Sequence, residues 1–348
     1  MKIAFVINNI KTEKDNFTTI RLTRRARALG HEVYLVGLVD FIYESDESIA
    51  ALASVPERTD YETDAEVLEE LQDEHAQLQR VCLSDMDIVM LRSDPADEVL
   101  TRPWAPNSGL LFAQLLAAQG VIVLNDPMHL TDASNKTYFQ TYPEMVRPKT
   151  FIAHDANEIK NAVKQFGGKA VIKPLQGSGG QGVFLVNEDT GPNLNQIIEA
   201  TVRDGYAIVQ EYLPKAADGD LRLLTLNGKP LQVDGVYACF KRYNDSGDAR
   251  SNISAGGKFQ MAEPDAEALS LAEAVSPKLI KDGMYLTGLD IVGNKMMEIN
   301  VDTPGGITMA EDLTGKDFSG AIIADFEHKV KMKNFYGARL TAAELAMV

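Results

Sequence analysis

Residues 171–183 read Val-Ile-Lys-Pro-Leu-Gln-Gly-Ser-Gly-Gly-Gln-Gly-Val: a strand delivers a lysine into a run with four glycines in six residues, and a second strand follows. Glycines let successive backbone N–H groups turn toward one point without side chains in the way, which makes a nest for an anion. Lys173 places a mobile positive charge beside Gly177, Ser178, Gly179 and Gly180. No Gly-Lys-Ser/Thr follows, so this is not a P-loop, and strands rather than a helix flank the glycines, which sets aside the dinucleotide fingerprint. The segment is expected to be a flap that covers phosphates. The competing reading is a flexible hairpin with an incidental lysine.

Around this segment the chain changes character. Before residue 126 it alternates strand and helix signals: strands at 3–7, 33–39, 88–91 and 121–124, helices at 17–29 and 108–119. Gly30 and Gly120 stand where left-handed helix caps belong. Leu68, Leu71, His75, Leu78 and Cys82 recur at spacings of three and four, so a single amphipathic helix is expected over 64–80. Alternation of this kind implies a parallel sheet with helices on both faces. After Pro127, apolar strands joined by glycine-bearing turns are expected at 170–172, 183–186, 207–209, 222–226 and 231–237, with helices at 156–166, 195–203 and 265–281. The fold class expected is α/β: an N-terminal parallel-sheet domain over 1–126, then a two-part α+β region over 127–212 and 213–330. The few apolar residues of the tail, 331–348, show no evident partner.

With 348 residues and 45% hydrophobic content the chain can bury more than one core. Its formal charge of −16 would repel a phosphate backbone over most of the surface, which excludes a nucleic-acid partner. Cys82 and Cys239 lie far apart and outside any metal-ligand spacing, as expected of two reduced thiols. The opening apolar run is too short for a signal peptide and no segment is long enough to span a membrane, so no membrane partner and a cytoplasmic location are expected.

Residues 288–301 carry the second constellation: Gly-Leu-Asp-Ile-Val-Gly-Asn-Lys-Met-Met-Glu-Ile-Asn-Val. Two strands meet at Gly293-Asn294, a strong hairpin cue. Period-two alternation puts Glu298 and Asn300 on one face and turns Met297, Ile299 and Val301 to the core; pairing across the turn brings Asp290 to the polar face. Three oxygen ligands suit Mg²⁺, which keeps waters and takes further ligands from phosphate. A solvent-facing strand is the plainer alternative. Weaker signals surround it. Gln210, Glu211, Tyr212 and Leu213, ahead of Pro214, follow a strand and could be a linker whose backbone meets an adenine edge. Asp220 and Arg222 flank a turn. Arg250, Asn252, Gly256 and Gly257 in one loop, and Thr303, Gly305 and Gly306 in another, could offer amides to a substrate carboxylate.

Taken together, Lys136, the Lys173 flap, the 210–214 hinge, Asp220 and Arg222, Asn252 with Gly256-Gly257, and Asp290/Glu298/Asn300 resemble the bacterial glutathione synthetase family, from residue 1 to about 330. The resemblance implies an ATP-grasp fold behind an N-terminal α/β domain and an ATP-dependent ligase. It implies ATP between two subdomains, with Lys136 and Lys173 on its phosphates, the hinge on adenine, Asp220 on ribose, and two Mg²⁺ on Asp290, Glu298 and Asn300; Mn²⁺ could substitute. The substrates it implies are γ-glutamylcysteine and glycine, joined through an acyl phosphate. Arg222 would stabilise the transferring phosphate or the tetrahedral oxyanion. Arg92 would hold the γ-glutamyl end, with the loops at 250–257 and 303–306 anchoring carboxylates, and a homo-oligomer is expected.

Three departures fall on the substrate side. Ser93 stands where the family often has lysine, 233–248 is long enough to leave open whether Lys241 or Arg242 supplies a basic group, and Asp302-Thr303-Pro304 replaces a threonine-serine-proline. Two alternatives follow: an ATP-grasp ligase for another carboxylate–amine pair, or a non-enzymatic, synapsin-like ATP-binding protein.

Overall fold

The computed structural model describes residues 1–348 except 99–100, 134–135, 176–181, 204 and 245–256, and the side chains of 188, 189 and 192. The opening apolar run forms β1 (Lys2–Ile7), with both faces buried: Ile3, Phe5 and Ile7 enter one core and Ala4 and Val6 another. A strand buried on both sides belongs in the middle of a helix-covered sheet. Helix α1 (Thr18–Ala28) leads to β2 (Glu32–Tyr43), with Gly30 at φ +83° after the helix end, as the sequence predicts. β3 (Ile49–Ser54), α2 (Asp64–Gln72), β4 (Leu78–Cys82), β5 (Ile88–Leu91), α3 (Ala105–Ala118), β6 (Ile122–Leu124) and α4 (Pro127–Asp132) complete this part. The strand order is β4-β3-β2-β1-β5-β6; β2, β1, β5 and β6 run parallel, while β3 and β4 are antiparallel additions.

The helix expected over 64–80 is corrected here. It stops at Gln72, where Asp73 turns extended (ψ 153°), and residues from Leu78 pair as β4 with β3, Ala50 opposite Cys82. A spacing of three and four cannot reveal a strand partner 30 residues upstream.

Next comes an antiparallel sheet of β7 (Thr150–Ala153), β8 (Ala170–Pro174), β9 (Phe184–Val186) and β10 (Ala207–Glu211), ordered β7-β10-β8-β9. Ala170, Ile172, Ala207 and Val209 point to α5 (Ala156–Gln165) and α6 (Leu194–Val202) and form a core with Ile159, Val163 and Ile198. Each fully buried Ile or Val there contributes roughly 1.5–3 kcal/mol. The alternate residues Lys173, Ile208 and Gln210 are left to face the other way.

The third sheet is ordered β16-β15-β11-β17-β18. It is built from β11 (Asp220–Leu226), β15 (Cys239–Tyr243), β16 (Lys258–Met261), β17 (Leu286–Val292) and β18 (Lys295–Asn300), with α7 (Ala266–Lys281) preceding β17. The strand expected over 231–237 is interrupted. β12 (Lys229–Pro230) pairs with β11, while β13 (Gln232–Val233) and β14 (Val236–Tyr237) fold on each other at Asp234 and Gly235, whose φ values are +49° and +81°. Two helices without a prior signal follow, α8 (Ile307–Thr314) and α9 (Phe318–Tyr336), and then α10 (Ala342–Ala346). The chain beyond 331 does have partners. α9 continues through it, and Leu345 and Ala346 are buried in the core that holds Ile3, Phe5 and Leu124.

Among the described residues no helix is long and apolar enough to cross a membrane. Both cysteines are free; burial pushes the Cys239 thiol up to about 12, so it stays protonated.

Candidate active site

The faces that β8 and β10 turn away from their helices look onto a cavity of about 430 Å³. Lys173 stands opposite Ile208 in the ladder, and both line the cavity with Gln210 two residues on. Lys136, whose backbone N–H donates to the Leu175 carbonyl at 3.2 Å, borders the same space. Burial pulls Lys173 down to about 8, opposed by Glu298 and assisted by Lys136. A lysine so poised is strongly stabilised by an arriving anion.

The other wall comes from β18. Asp290 lies opposite Glu298 and Gly288 opposite Asn300, so the hairpin presents all three polar residues on one face, as the pattern predicts. The ladder has a bulge at this point: Ile291 pairs with Met296, which leaves Met297 as the extra residue. This corrects the expected assignment of Met297 to the core: Met296 takes the buried place and Met297 borders the cavity beside Glu298 and Asn300, while Ile299, opposite Leu289, packs against the core as expected.

Behind Glu298 lies a buried charge network. Arg222 faces Asp290 across β11 and β17; its Nε donates to Oδ1, its Nη2 donates to Oδ2 at 2.9 Å, and its Nη1 donates to the Gly305 carbonyl at 3.1 Å. Asn300 donates to Asp290 Oδ2 at 3.2 Å. Arg242 bridges two carboxylates, with Nη2 2.5 Å from Asp220 and 2.8 Å from Asp290. Burial raises the Asp290 pKa, but Arg222 and Arg242 outweigh it and hold the carboxyl below its usual range. Gly288 makes room for this: a Cβ there would lie 3.2–3.4 Å from the Arg222 side chain.

Towards the N-terminal sheet the cavity meets Asp94, Asp302 and Thr303. Burial pushes Asp302 up to about 8, with the Asp94 charge adding to it. One residue beyond Thr303, the Pro304 carbonyl accepts from Arg92 Nη2 at 3.0 Å. Arg92 is 3% exposed, and burial pulls it down to about 10 while Glu13 opposes the shift.

A family model of the prokaryotic glutathione synthetase ATP-grasp domain matches residues 135–315, and one of the N-terminal domain matches residues 1–131. The chain belongs to the prokaryotic glutathione synthetase family. It is 29% identical over 335 residues to the glutathione synthetase of Vibrio parahaemolyticus, a match covering 93% of this chain and 96% of that one. Among solved structures it is similar to D-cycloserine synthetase DcsG (TM-score 0.62, 13% identity, 93% of this chain and 99% of the other). It also resembles the ATP-grasp ligase PsnB complexed with minimal precursor, Mg and ADP (TM-score 0.59, 15% identity, 94% and 98%). These likenesses fix the fold as ATP-grasp, and the family makes the chain an ATP-dependent ligase.

In this glutathione synthetase relative, Lys136, Lys173, Gln210, Glu298, Asn300 and Thr303 share the cavity wall. The rest of the hinge is engaged elsewhere: Glu211 accepts from the Lys149 N–H at 2.8 Å and Tyr212 lies under Lys169 at 3.9 Å, with Leu213 opening the turn that follows. Asp220 is buried against Arg242. Gly305 and Gly306 precede α8, and a Cβ on Gly306 would strike the Phe240 ring at 2.8 Å. Gly257 directly precedes β16. Gly177, Ser178, Gly179, Gly180, Arg250, Asn252 and Gly256 lie outside the described residues. Of the two basic residues the sequence leaves open, Arg242 pairs opposite Asp220 on the network's face and Lys241 turns the other way. Asp302 stands out in the sequence only as a departure from the family pattern, and Tyr138 and Phe139 in the cavity wall carry no signal there.

Proposed function

We propose that this enzyme joins γ-glutamylcysteine and glycine, forming glutathione with release of ADP and phosphate. The observation that carries the reading is the cavity itself: two lysines on one wall face Glu298 and Asn300 on the other, in a chain that follows a glutathione synthetase over nearly its whole length.

ATP would place its phosphates on Lys136 and Lys173 and its base against Ile208 and Gln210. Asp220 is offered to the ribose only by way of Arg242, which holds it. The donor set suits Mg²⁺: among the described residues no three His, Cys, Asp or Glu side chains gather into a metal cage, and Mg²⁺ bound with a nucleotide needs only one or two carboxylates. Glu298 and Asn300 would hold it, with Asp290 behind them. Bound Mg²⁺ would draw phosphate oxygens together and neutralise their charge. The γ-phosphoryl group passes to the cysteinyl carboxylate: a new P–O bond forms and the bond to ADP breaks. The glycine amine then attacks the acyl carbon, the C–N bond forms, phosphate leaves and the amine's proton goes to solvent. Arg222, held in place by Asp290 and Gly305, stabilises charge on the way; one such donor is typically worth about 3 kcal/mol.

A second reading, a different acid and amine, is favoured by Asp302, which lines the cavity with Asp94, and by Ser93 close by in sequence, two positions that depart from the family pattern. Both readings meet in one experiment. ADP release is measured with Mg²⁺, glycine and a panel of γ-glutamyl dipeptides and unrelated acids, and the product is weighed by mass spectrometry. Glutathione from γ-glutamylcysteine is expected, and turnover confined to an unrelated acid would overturn it.

A further inference from the structure

We infer that Tyr138 is a positioning residue for Lys136: its hydroxyl, held by Asp282, fixes the stretch of cavity wall that carries the lysine against the end of α7. This rests on the placing of ATP given above. Between α4 and β7 the described residues form only two short 3₁₀ turns, Tyr138–Thr141 and Glu144–Val146. Yet Lys136, Tyr138, Phe139 and Gln140 all line the cavity. Without a ladder or a long helix to hold it, this wall depends on individual side-chain and backbone bonds.

The Lys136 N–H donates to the Leu175 carbonyl at 3.2 Å, which ties one end of the wall to the strand before the flap. Arg147 works within the segment, donating to Gln140 Oε1 at 2.9 Å and to the Tyr142 carbonyl at 3.1 Å. Lys295 reaches the Met145 carbonyl at the exposed surface. Tyr138 supplies a buried tie. Its hydroxyl donates to Asp282 Oδ2 at 2.8 Å and accepts from the Tyr142 hydroxyl at 3.1 Å. Lys278, one turn earlier in α7, donates to the same Oδ2 at 2.6 Å and lies 5.0 Å from the centre of the Tyr138 ring. Tyr138, Tyr142 and Asp282 are 6%, 2% and 3% exposed.

Packing alone does not call for this array. Tyr138, Phe139 and Tyr142 share a core with Val275 and Leu279 of α7, and a phenylalanine at 138 would fill the same space. The hydroxyl brings a carboxylate in with it. Asp282 directly follows the last residue of α7, where the helix dipole disfavours negative charge, and a buried carboxylate is costly unless paired. What the hydroxyl adds is direction. Apolar contact is non-directional, whereas a hydrogen bond fixes where along α7 the wall sits. Lys136 is thereby held between the Leu175 carbonyl and, two residues on, the Tyr138 anchor. Asp282 in turn lies just ahead of β17, the strand that carries Asp290. One phenol thus keys the lysine on one wall to the hairpin on the other.

The test is calorimetric binding of MgATP to the full chain and to Tyr138→Phe, each with Lys136 intact and with Lys136→Gln. Titrations run to millimolar nucleotide, and thermal melting confirms folding. Tyr138→Phe is expected to weaken binding about fivefold where Lys136 is present and to leave it unchanged beside Lys136→Gln, where no ammonium remains to be placed. A residue that served packing alone would lower both alike. Should Tyr138→Phe not fold, Asp282→Leu with Lys278→Leu removes the acceptor together with its counter-ion and is measured in the same two backgrounds. Equal binding of parent and Tyr138→Phe, or an equal loss in both backgrounds, overturns the positioning role and leaves the placing of ATP standing. Failure of the parent chain to bind MgATP overturns that placing and the inference with it.

Discussion

Arg222 and Asp290 stand directly opposite each other on β11 and β17, and Arg222 Nη2 donates to Asp290 Oδ2 at 2.9 Å. Arg242 reaches the same oxygen at 2.8 Å while also pairing with Asp220, so two buried carboxylates balance two guanidinium groups, with Asp290 shared between them. Removing one member of a buried ion pair leaves its partner uncompensated. Asp290→Ala is expected to destabilise the chain by about 3–5 kcal/mol, read from urea unfolding.

Glu298→Ala separates binding from stability. Glu298 is only partly buried and borders the cavity. The variant should melt within a few degrees of the parent while Mg²⁺-dependent ADP release is lost. Parental turnover would remove Glu298 from the metal role.

Gly288→Ala probes the seat of Arg222. An added Cβ would come within 3.2–3.4 Å of a side chain already fixed by Asp290 and Gly305, so the guanidinium must shift by a few tenths of an ångström. Small misplacements of a catalytic group are expensive in rate. The expected result is a fall in kcat of about tenfold with little change in the KM for ATP.

Lys173 sets a pH dependence. Free, it loses its proton near pH 8; with phosphates beside it, the charged form is favoured. ATP binding should therefore take up nearly one proton at pH 9 and almost none at pH 6.5, measured by calorimetry in buffers of different ionisation enthalpy. Absence of proton uptake at pH 9 would place the phosphates elsewhere.

Glu13 sets another, on stability. Burial raises its pKa from 4.5 to about 7, against the pull of Arg92. Between these values the folded chain holds a proton that the unfolded chain has released, so stability falls as pH rises through that window. At about 1.4 kcal/mol per unit the full loss is on the order of 3 kcal/mol. Glu13→Gln should leave stability nearly unchanged at pH 4.5 and raise it at pH 8.

Much of this was legible in the chain. The Gly293-Asn294 turn fixes Val292 opposite Lys295, and period two alone places Lys173 away from Ile172; that Glu298 rather than Met297 stands opposite Asp290 is due to the bulge, which the turn does not announce. What escaped was non-local. β4 shows helical spacing in sequence and becomes a strand because β3 is there to pair with it. α9 buries Phe318, Ile322, Ile323 and Phe326 on one face, but Lys329 is buried on that face too and Phe335 is exposed off it, which blurs the stripe in sequence.

The burial of Leu345 and Ala346 beside Phe5 and Leu124, under a roof shared with Phe318, Ile322 and Phe326, bears on how the molecule comes off the ribosome. The strands of the first sheet are translated early, yet part of their hydrophobic cover lies far downstream, in residues 318–346. Domains emerging in order usually close in order. Here the first to emerge must wait for α9 and α10, and a fragment cut at residue 131 would carry an open apolar face into solution.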